Sequence, residues 1–308
     1  MNHLKYGILL MLVATVLLAA CGQSEEKKRA LSKQRREQLR REDSLALKIG
    51  TLPTMDCLPL YVAQQTGLYQ QLDVDVRLKP FTSQIDCDAA LTAGRIEGNV
   101  TDLVRTQRMM QHGTALQYFT ATNAYWQLIS NRKSRITNLK QLEEKMVAMA
   151  RFSVTDMLTD MAVDSVKLKN ETVFRVQIND PNIRLLMLQN NELDAMCLTE
   201  PQATTARLYK NPVLMDSQKR DLQMGVICFR SKDMKDKRRT EQLRRFTKAY
   251  NQACDSIRKH GLQHYAQLIK SYTQADERTI KALPKLNYTH ATAPRQKDIE
   301  KANRWLNK

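Results

Sequence analysis

The sequence predicts an α/β protein of two lobes with a helical C-terminal tail. Three observations carry this. Between residues 45 and 230, short apolar runs of β character alternate with helical stretches. The alternation begins again after about residue 139, as a second block with the same grammar. Beyond Thr240 the strand signals stop and only helical spacing remains. Strands alternating with helices of this length argue for parallel sheets with helices on their faces.

The elements follow in order. Leu45 to Thr51 alternates and reads as a first strand, ended by Pro53. Pro59 to Gln65 is a short helix, with Gly67 at a C-cap position. Val74 to Leu78 is a second strand, stopped by Pro80. Ile85 to Ala93 is a helix closed by Gly94. Gly98 to Val104 is a third strand, followed by a helix from Arg105 to His112 that ends at Gly113. Leu116 to Ser130 is β-rich and aromatic, long for one strand, and suited to passing between lobes.

In the second block, Leu139 to Glu144 reads as a short helix and Met146 to Ala150 as a strand. A helix runs from Val154 to Leu168 with Ser153 as its N-cap. Val173 to Ile178 is a strand, and Asp180-Pro181 opens a helix reaching Asn190. Leu193 to Leu198, Val213 to Asp216 and Gly225 to Arg230 are strands, and Glu200 to Tyr209 is a helix. In the tail, Leu243, Phe246, Tyr250, Cys254 and Ile257 recur every three or four residues, the stripe of a helix that Gly261 stops. Two or three further helices follow, and with no strands of their own they must pack on the lobes.

The N-terminus is of another kind. Lys5 precedes an apolar run from Tyr6 to Ala20, and Leu18-Ala19-Ala20-Cys21 closes it. This run is shorter than the roughly 20 residues that cross a bilayer as a helix. Its basic start and small-residue end fit a secretory signal. The Leu-Ala-Ala-Cys step resembles the lipobox of bacterial lipoproteins. That resemblance implies cleavage before Cys21 and lipid on its thiol, diacylglycerol with palmitate as an acyl group. The expected localisation is the cell envelope, lipid-anchored and facing the periplasm or exterior. The division that follows is residues 1–20 as signal peptide and 21–44 as a lipidated charged tether. Residues 45–125 with 226–308 form lobe 1, and 126–225 form lobe 2.

The formal net charge is +17. Part of it lies in the run Glu25 to Asp43, which holds eight Lys and Arg residues and too few apolar ones to bury a face. That run reads as a spacer, whose charge would add attraction to anionic headgroups. Nucleic acid is excluded as a partner, because export removes it and no nucleic-acid module is present. Five cysteines follow Cys21, an odd number, in a compartment that permits disulfides. No C-x-x-C or His-rich spacing marks a metal site, and no cofactor is called for. His260 and His264 share a helix face at i,i+4, and Met157 and Met161 have core spacing.

Four ordered matches carry a wider resemblance. Ile49-Gly50-Thr51-Leu52-Pro53 precedes Leu58-Pro59-Leu60-Tyr61-Val62-Ala63 and Gly67-Leu68-Tyr69. Gly94-Arg95-Ile96-Glu97-Gly98 is followed by Thr101-Asp102. Leu139-Lys140-Gln141-Leu142 precedes Met146-Val147-Ala148, and Asn191-Glu192-Leu193-Asp194-Ala195 leads to Glu200-Pro201. In this the chain resembles type II periplasmic solute-binding proteins of ABC importers, in the nitrate/sulfonate/taurine and thiamine-precursor branch. The resemblance implies two α/β lobes joined by a two-segment hinge, a ligand held between them, and delivery to an ABC permease driven by its ATPase. The expected working unit is a monomer. One departure is plain: the cysteine-rich run of the thiamine-precursor synthases is absent.

Ligands of open α/β sheets sit beyond the carboxyl ends of the strands, where helix N-termini offer free N–H groups. The candidates in the first lobe are Thr54, Met55, Asp56 and Cys57, then Thr82, Ser83, Gln84, Asp86 and Cys87, then Thr101 and Asp102. In the second lobe they are Arg151, Ser153 and Thr155, then Asn179 and Asp180, then Thr199 and Glu200. Ser153, Asp86 and Asp180 also fit plain N-caps. Asp56, Asp86, Asp102 and Glu200 around one cleft would repel a bare anion unless Arg151 or Arg105 offset them. This favours a small nitrogenous or zwitterionic metabolite. Asp56-Cys57 and Asp86-Cys87 stand in neighbouring loops, as a disulfide clamping the cleft wall, as two ligand-facing thiols, or as two small buried residues. Cys197, Cys228 and Cys254 lie in apolar surroundings. Two other functions compete with solute delivery: a surface or scaffold lipoprotein on the same fold, and a thiol-dependent enzyme. The enzyme lacks a histidine near either thiol in sequence, since none of the mature chain precedes His112.

Overall fold

The computed structural model describes residues 29–39, 41–232 and 237–308. Residues 1–28 lie outside the described residues, and with them the expected signal peptide and Cys21. Two compact units divide the chain, Met1–Ala46 and Leu47–Lys308. In the first, residues 29–39 and 41–45 are helical and mostly exposed; this is α1. The described part of the basic spacer is therefore helical, although it has no apolar stripe to bury.

The second unit opens with β1 (Leu47–Thr51), α2 (Leu58–Gln65), α3 (Leu68–Gln71), β2 (Val76–Pro80), α4 (Gln84–Thr92), β3 (Gly98–Asp102), α5 (Leu103–Gln111) and β4 (Leu116–Ala121). It continues through β5 (Gln127–Ser130), β6 (Met146–Met149), α6 (Val154–Ser165), β7 (Phe174–Gln177), α7 (Pro181–Gln189), β8 (Ala195–Leu198), α8 (Gln202–Leu208) and β9 (Val213–Asp216). β10 (Gly225–Arg230) precedes α9 (Lys237–His260), α10 (Ala266–Thr273), α11 (Glu277–Ala282) and α12 (Gln296–Leu306).

Two five-stranded sheets result, in the orders β2-β1-β3-β10-β4 and β7-β6-β8-β5-β9. In each, the first three strands are parallel and the last two join antiparallel. The chain leaves the first sheet through residues 122–126 and returns through 217–224. The long aromatic stretch from Leu116 is thus one strand of each sheet with a crossing between them. The two crossings run side by side: Thr122 N–H donates to the Gly225 carbonyl at 2.8 Å, and Ser217 N–H donates to the Trp126 carbonyl at 2.9 Å. At Gly225 a Cβ would come within 2.2 Å of Thr122 Oγ1, so glycine is what lets the crossings touch.

Several boundaries move for identifiable reasons. The second strand lies two residues later than its apolar pattern, because Val74 N–H is taken by the Tyr69 carbonyl at the end of α3. Pro80 does not stop that strand but finishes it, opposite Thr51. β2 is an edge strand, where a missing N–H breaks no ladder. Leu139–Leu142 is a 3-10 turn held by an Asn138/Gln141 capping box rather than a longer helix.

The first core is aromatic. Phe119, Phe229, Phe246 and Tyr250 meet edge-on or tilted, with centroids 5.0 to 6.5 Å apart. Phe246 and Tyr250 come from α9, so the tail closes the first lobe. The tail's last helix does more. Ala302 of α12 is fully buried in one cluster with Leu103 and Val104 of α5, Val154 and Met157 of α6, and Val226 of β10. Trp305 Nε1 donates to Asp160 of α6 at 2.6 Å, while Gln111 of α5 donates to Asn303 at 3.0 Å. At its other end, Arg295 grips Asp221 in the returning crossing at 2.6 Å. Among the described residues no helix is long and apolar enough to cross a membrane.

Candidate functional site

The site is built by caps. Asp102, Ser153 and Asp180 each end a strand-side loop and cap a helix, accepting from the N–H groups of Arg105, Thr155 and Asn182 respectively. These short polar residues stop the strand and turn the chain into a helix whose N-terminus faces the other lobe. The two lobes are in contact there. Val154 N–H donates to Asp102 Oδ1 at 3.2 Å, Met55 N–H to the Glu200 carbonyl at 2.9 Å, and Gln202 Nε2 to the Pro53 carbonyl at 2.9 Å. A cavity of about 50 Å³ remains between them, room for a compact solute or a few waters.

Of the strand-end candidates, Thr54, Asp56, Gln84, Thr101 and Asp102 line this cavity from the first lobe. Ser153, Thr155, Asn179 and Thr199 line it from the second. Others are elsewhere. Met55 and Cys57 are buried in the first core. Cys87 is buried under α4 with Leu91, Ile96 and Cys228. Ser83, not Asp86, is the cap of α4; the Asp86 carboxylate accepts the Ser83 hydroxyl at 2.6 Å and stays at the surface. Arg151 lies outside the cavity, in a neighbouring groove. Glu200 is 2% exposed and fully engaged, by the Tyr125 hydroxyl at 2.6 Å, Arg207 at 2.7 Å and the Thr204 hydroxyl at 2.6 Å. Thr82 and Asp180 do not line the cavity either.

Of the three readings of Cys57 and Cys87, the disulfide is not formed and neither thiol lines the cavity, which leaves two small buried residues. Cys57 and Cys87 are free and buried, as are Cys197, Cys228 and Cys254. Burial pushes the Cys57 and Cys87 thiols well up, with Asp56 and Asp88 adding to it, so neither has nucleophile character. His260 and His264 stack at 4.9 Å, and no metal-ligating cluster occurs among the described residues.

The charges at the cavity are not the four expected carboxylates. Asp88, a residue the sequence reading passed over, accepts from Gln84 and Asn99 at 2.9 Å and pairs with Arg105 at 2.9 Å. Arg105 also lies 3.6 Å from Asp102. One cation is thus shared by two buried carboxylates. Burial raises both, Asp102 to about 6, against the pull of Arg105. Asp56, raised by burial, accepts from Thr54 at 2.6 Å and Thr122 at 3.2 Å.

Opposite them stands Arg184, the other residue missed. It lines the cavity from α7, one turn beyond the Asp180 cap, and is 6% exposed. Its Nη1 donates to the Cys197 carbonyl at 2.7 Å, but its Nε has no partner. Burial lowers it to about 10, so the guanidinium keeps its charge at neutral pH. The available signal was a single cation inside the apolar run Ile183 to Leu188.

Residues 54–262 match the family model described as NMT1/THI5 like. The chain belongs to that family. Among solved structures it is similar to the alkanesulfonate-binding protein SsuA from Xanthomonas axonopodis pv. citri, bound to MOPS, with a TM-score of 0.71 at 15% identity, covering 85% of this chain and 91% of that one. The nitrate-binding protein NrtA from Synechocystis PCC 6803 gives 0.66 at 13% identity, covering 82% of this chain and 74% of that one. The fold is therefore that of a type II periplasmic binding protein. A 52-residue stretch is 36% identical to the nitrate import ATP-binding protein NrtC of Synechococcus elongatus; it spans 17% of this chain and 8% of that protein. In this NMT1/THI5-like chain, every polar cavity residue named above sits in the last two residues of a strand, just after one, or in the first two turns of a helix.

Proposed function

We propose that the protein is the membrane-anchored solute-binding component of an ABC importer, tethered through lipid on Cys21. Its cleft captures a small zwitterionic metabolite and releases it unchanged to a permease. One observation carries the ligand class: Arg184 is a buried cation facing the cavity with Nε unpartnered. A buried charge is costly unless paired. A ligand acid group would supply the missing partner, with Ser153 and Thr155 beside it at the start of α6. Asp56 on the facing lobe suits the ligand's basic group. The small cavity favours a compact molecule. The named ligands of the structural neighbours, alkanesulfonate and nitrate, are anions, which supports the acidic half. The buried, proton-holding thiols weigh against a thiol-dependent enzyme.

Calorimetric titration with small amino acids, aminosulfonates and their singly charged analogues tests this reading. Zwitterions should bind most tightly, and native mass spectrometry should recover them unaltered after incubation. Tight binding of nitrate or a simple sulfonate that Arg184→Met abolishes, with no gain from an amine, would remove the zwitterionic assignment. Absence of any small ligand would leave the scaffold reading in its place.

A further inference from the structure

A groove beside the cleft has no role in that reading. It is formed by α4 and α5 of the first lobe and by the turn at Arg151-Phe152, with Gln177, of the second. Its volume is about 390 Å³, within the range of ligand pockets and far larger than the cleft cavity. Its floor is apolar: Ile85, Ala89, Met109 and Phe152. Ile85 and Phe152 are 45% and 40% exposed.

The walls are cationic. Arg105, Arg108 and Arg151 line the groove, with His112 at its end. Asp88 is the one carboxylate among the described residues lining it, and Arg105 engages it at 2.9 Å. Arg108 Cζ stands over the Phe152 ring, 3.7 Å from its centroid. Stacking holds a guanidinium plane while leaving its edge N–H groups free to donate. Phe152 is itself held in place. Its φ is +53°, a left-handed conformation that a bulky residue rarely adopts, and its N–H donates to Asp156 Oδ2 at 2.9 Å. An exposed aromatic kept in a costly conformation under a cation is a built surface rather than a loop tip.

We propose that this groove is a second binding site, beside the cleft cavity and sharing only Arg105 with it, for a small organic anion with an aromatic or aliphatic body. The anion lies between Arg108 and Arg151, and the body rests on Phe152, Met109 and Ile85. Because the two walls belong to different lobes, an occupant selects the closed arrangement.

The test is titration of the full chain with naphthalene-2-sulfonate, with the matched cation 2-naphthylmethylammonium as control. The sulfonate should bind one saturable site that weakens with added salt, and the cation should not bind. Arg108→Gln with Arg151→Gln should weaken it by about tenfold or more, as should Phe152→Ala, with circular dichroism confirming the fold. Arg184→Met, which addresses the cleft, should leave it in place. No saturable binding, equal binding of the cation, or loss on Arg184→Met with the groove variants unaffected would each overturn the proposal. Failure of the cleft assignment alone, with no zwitterion binding, would leave the groove result standing.

Discussion

Arg184 and Asp102 show how a single side chain sets the cleft's chemistry. An unpaired buried guanidinium is kept at a cost to the unliganded protein. Replacing it with methionine, of similar length and no charge, should leave thermal stability unchanged or raise it. The same change should cost about 2–5 kcal/mol in affinity for a zwitterion, measured by calorimetry. Loss of stability without loss of affinity would assign Arg184 a purely structural part. Asp102 titrates at about 6 in the folded protein against an ordinary 3.8. A carboxyl raised in this way contributes stability that is present below about pH 4 and is lost as pH rises through about 6. Denaturant titrations of wild type and Asp102→Asn should therefore diverge in favour of asparagine between those pH values and run parallel above 7. Identical pH dependence in the two proteins would contradict the assignment.

At the level of elements, the tail helices are structural parts of the lobes. Phe246 of α9 is fully buried among four aromatic rings from β4, β10, α3 and α9 itself. Phe246→Ala should cost about 3–5 kcal/mol in urea unfolding, since nothing nearby is free to fill the space. α12 is a clasp touching α5, α6 and the returning crossing. Trp305→Phe keeps the ring and removes the N–H that reaches Asp160. It should lower stability by about 1.5–3 kcal/mol, the range for a hydrogen bond to a charged group, read as a fall in melting temperature. Helix periodicity foretold α9 and its end before Gly261, because its apolar stripe is continuous. It said nothing of where α12 docks, since a stripe shows that a face is buried and not against what.

Across the whole molecule, the proposed lipid anchor and solute-binding cleft fit one task. A tethered binding protein meets its permease at high effective concentration. Cys21→Ser should move the protein from the membrane fraction to the soluble one, and mass spectrometry of the native protein should find a diacylglyceryl group at its N-terminus. A wild-type protein recovered without lipid would end the tether assignment. Ligand at a hundred times its Kd should add about 2.7 kcal/mol to unfolding stability, and the melting temperature should rise with ligand concentration.

The order of strands and helices and the two-lobed α/β class were readable from the chain; the leader proposed for residues 1–20 rests on the same kind of local signal. They rest on local signals: period, caps, turn residues and a cleavage-like step. Nine strand-end residues that line the cavity were also foreseeable, because topology alone places those loops at the cleft. The tertiary structure decided what each loop residue does there. Glu200 and Asp86 looked equal to Asp56 in sequence, yet partners 7 residues away for one (Arg207) and 3 for the other (Ser83) occupy them. Cys57, in the turn after β1, and Cys87, in α4 after β2, follow adjacent strands but turn into separate cores. Arg184 carries its meaning only through what is missing beside it. Burial is settled by elements far apart in the chain even where a hydrogen-bond partner is close in sequence, and no local pattern encodes an absent partner.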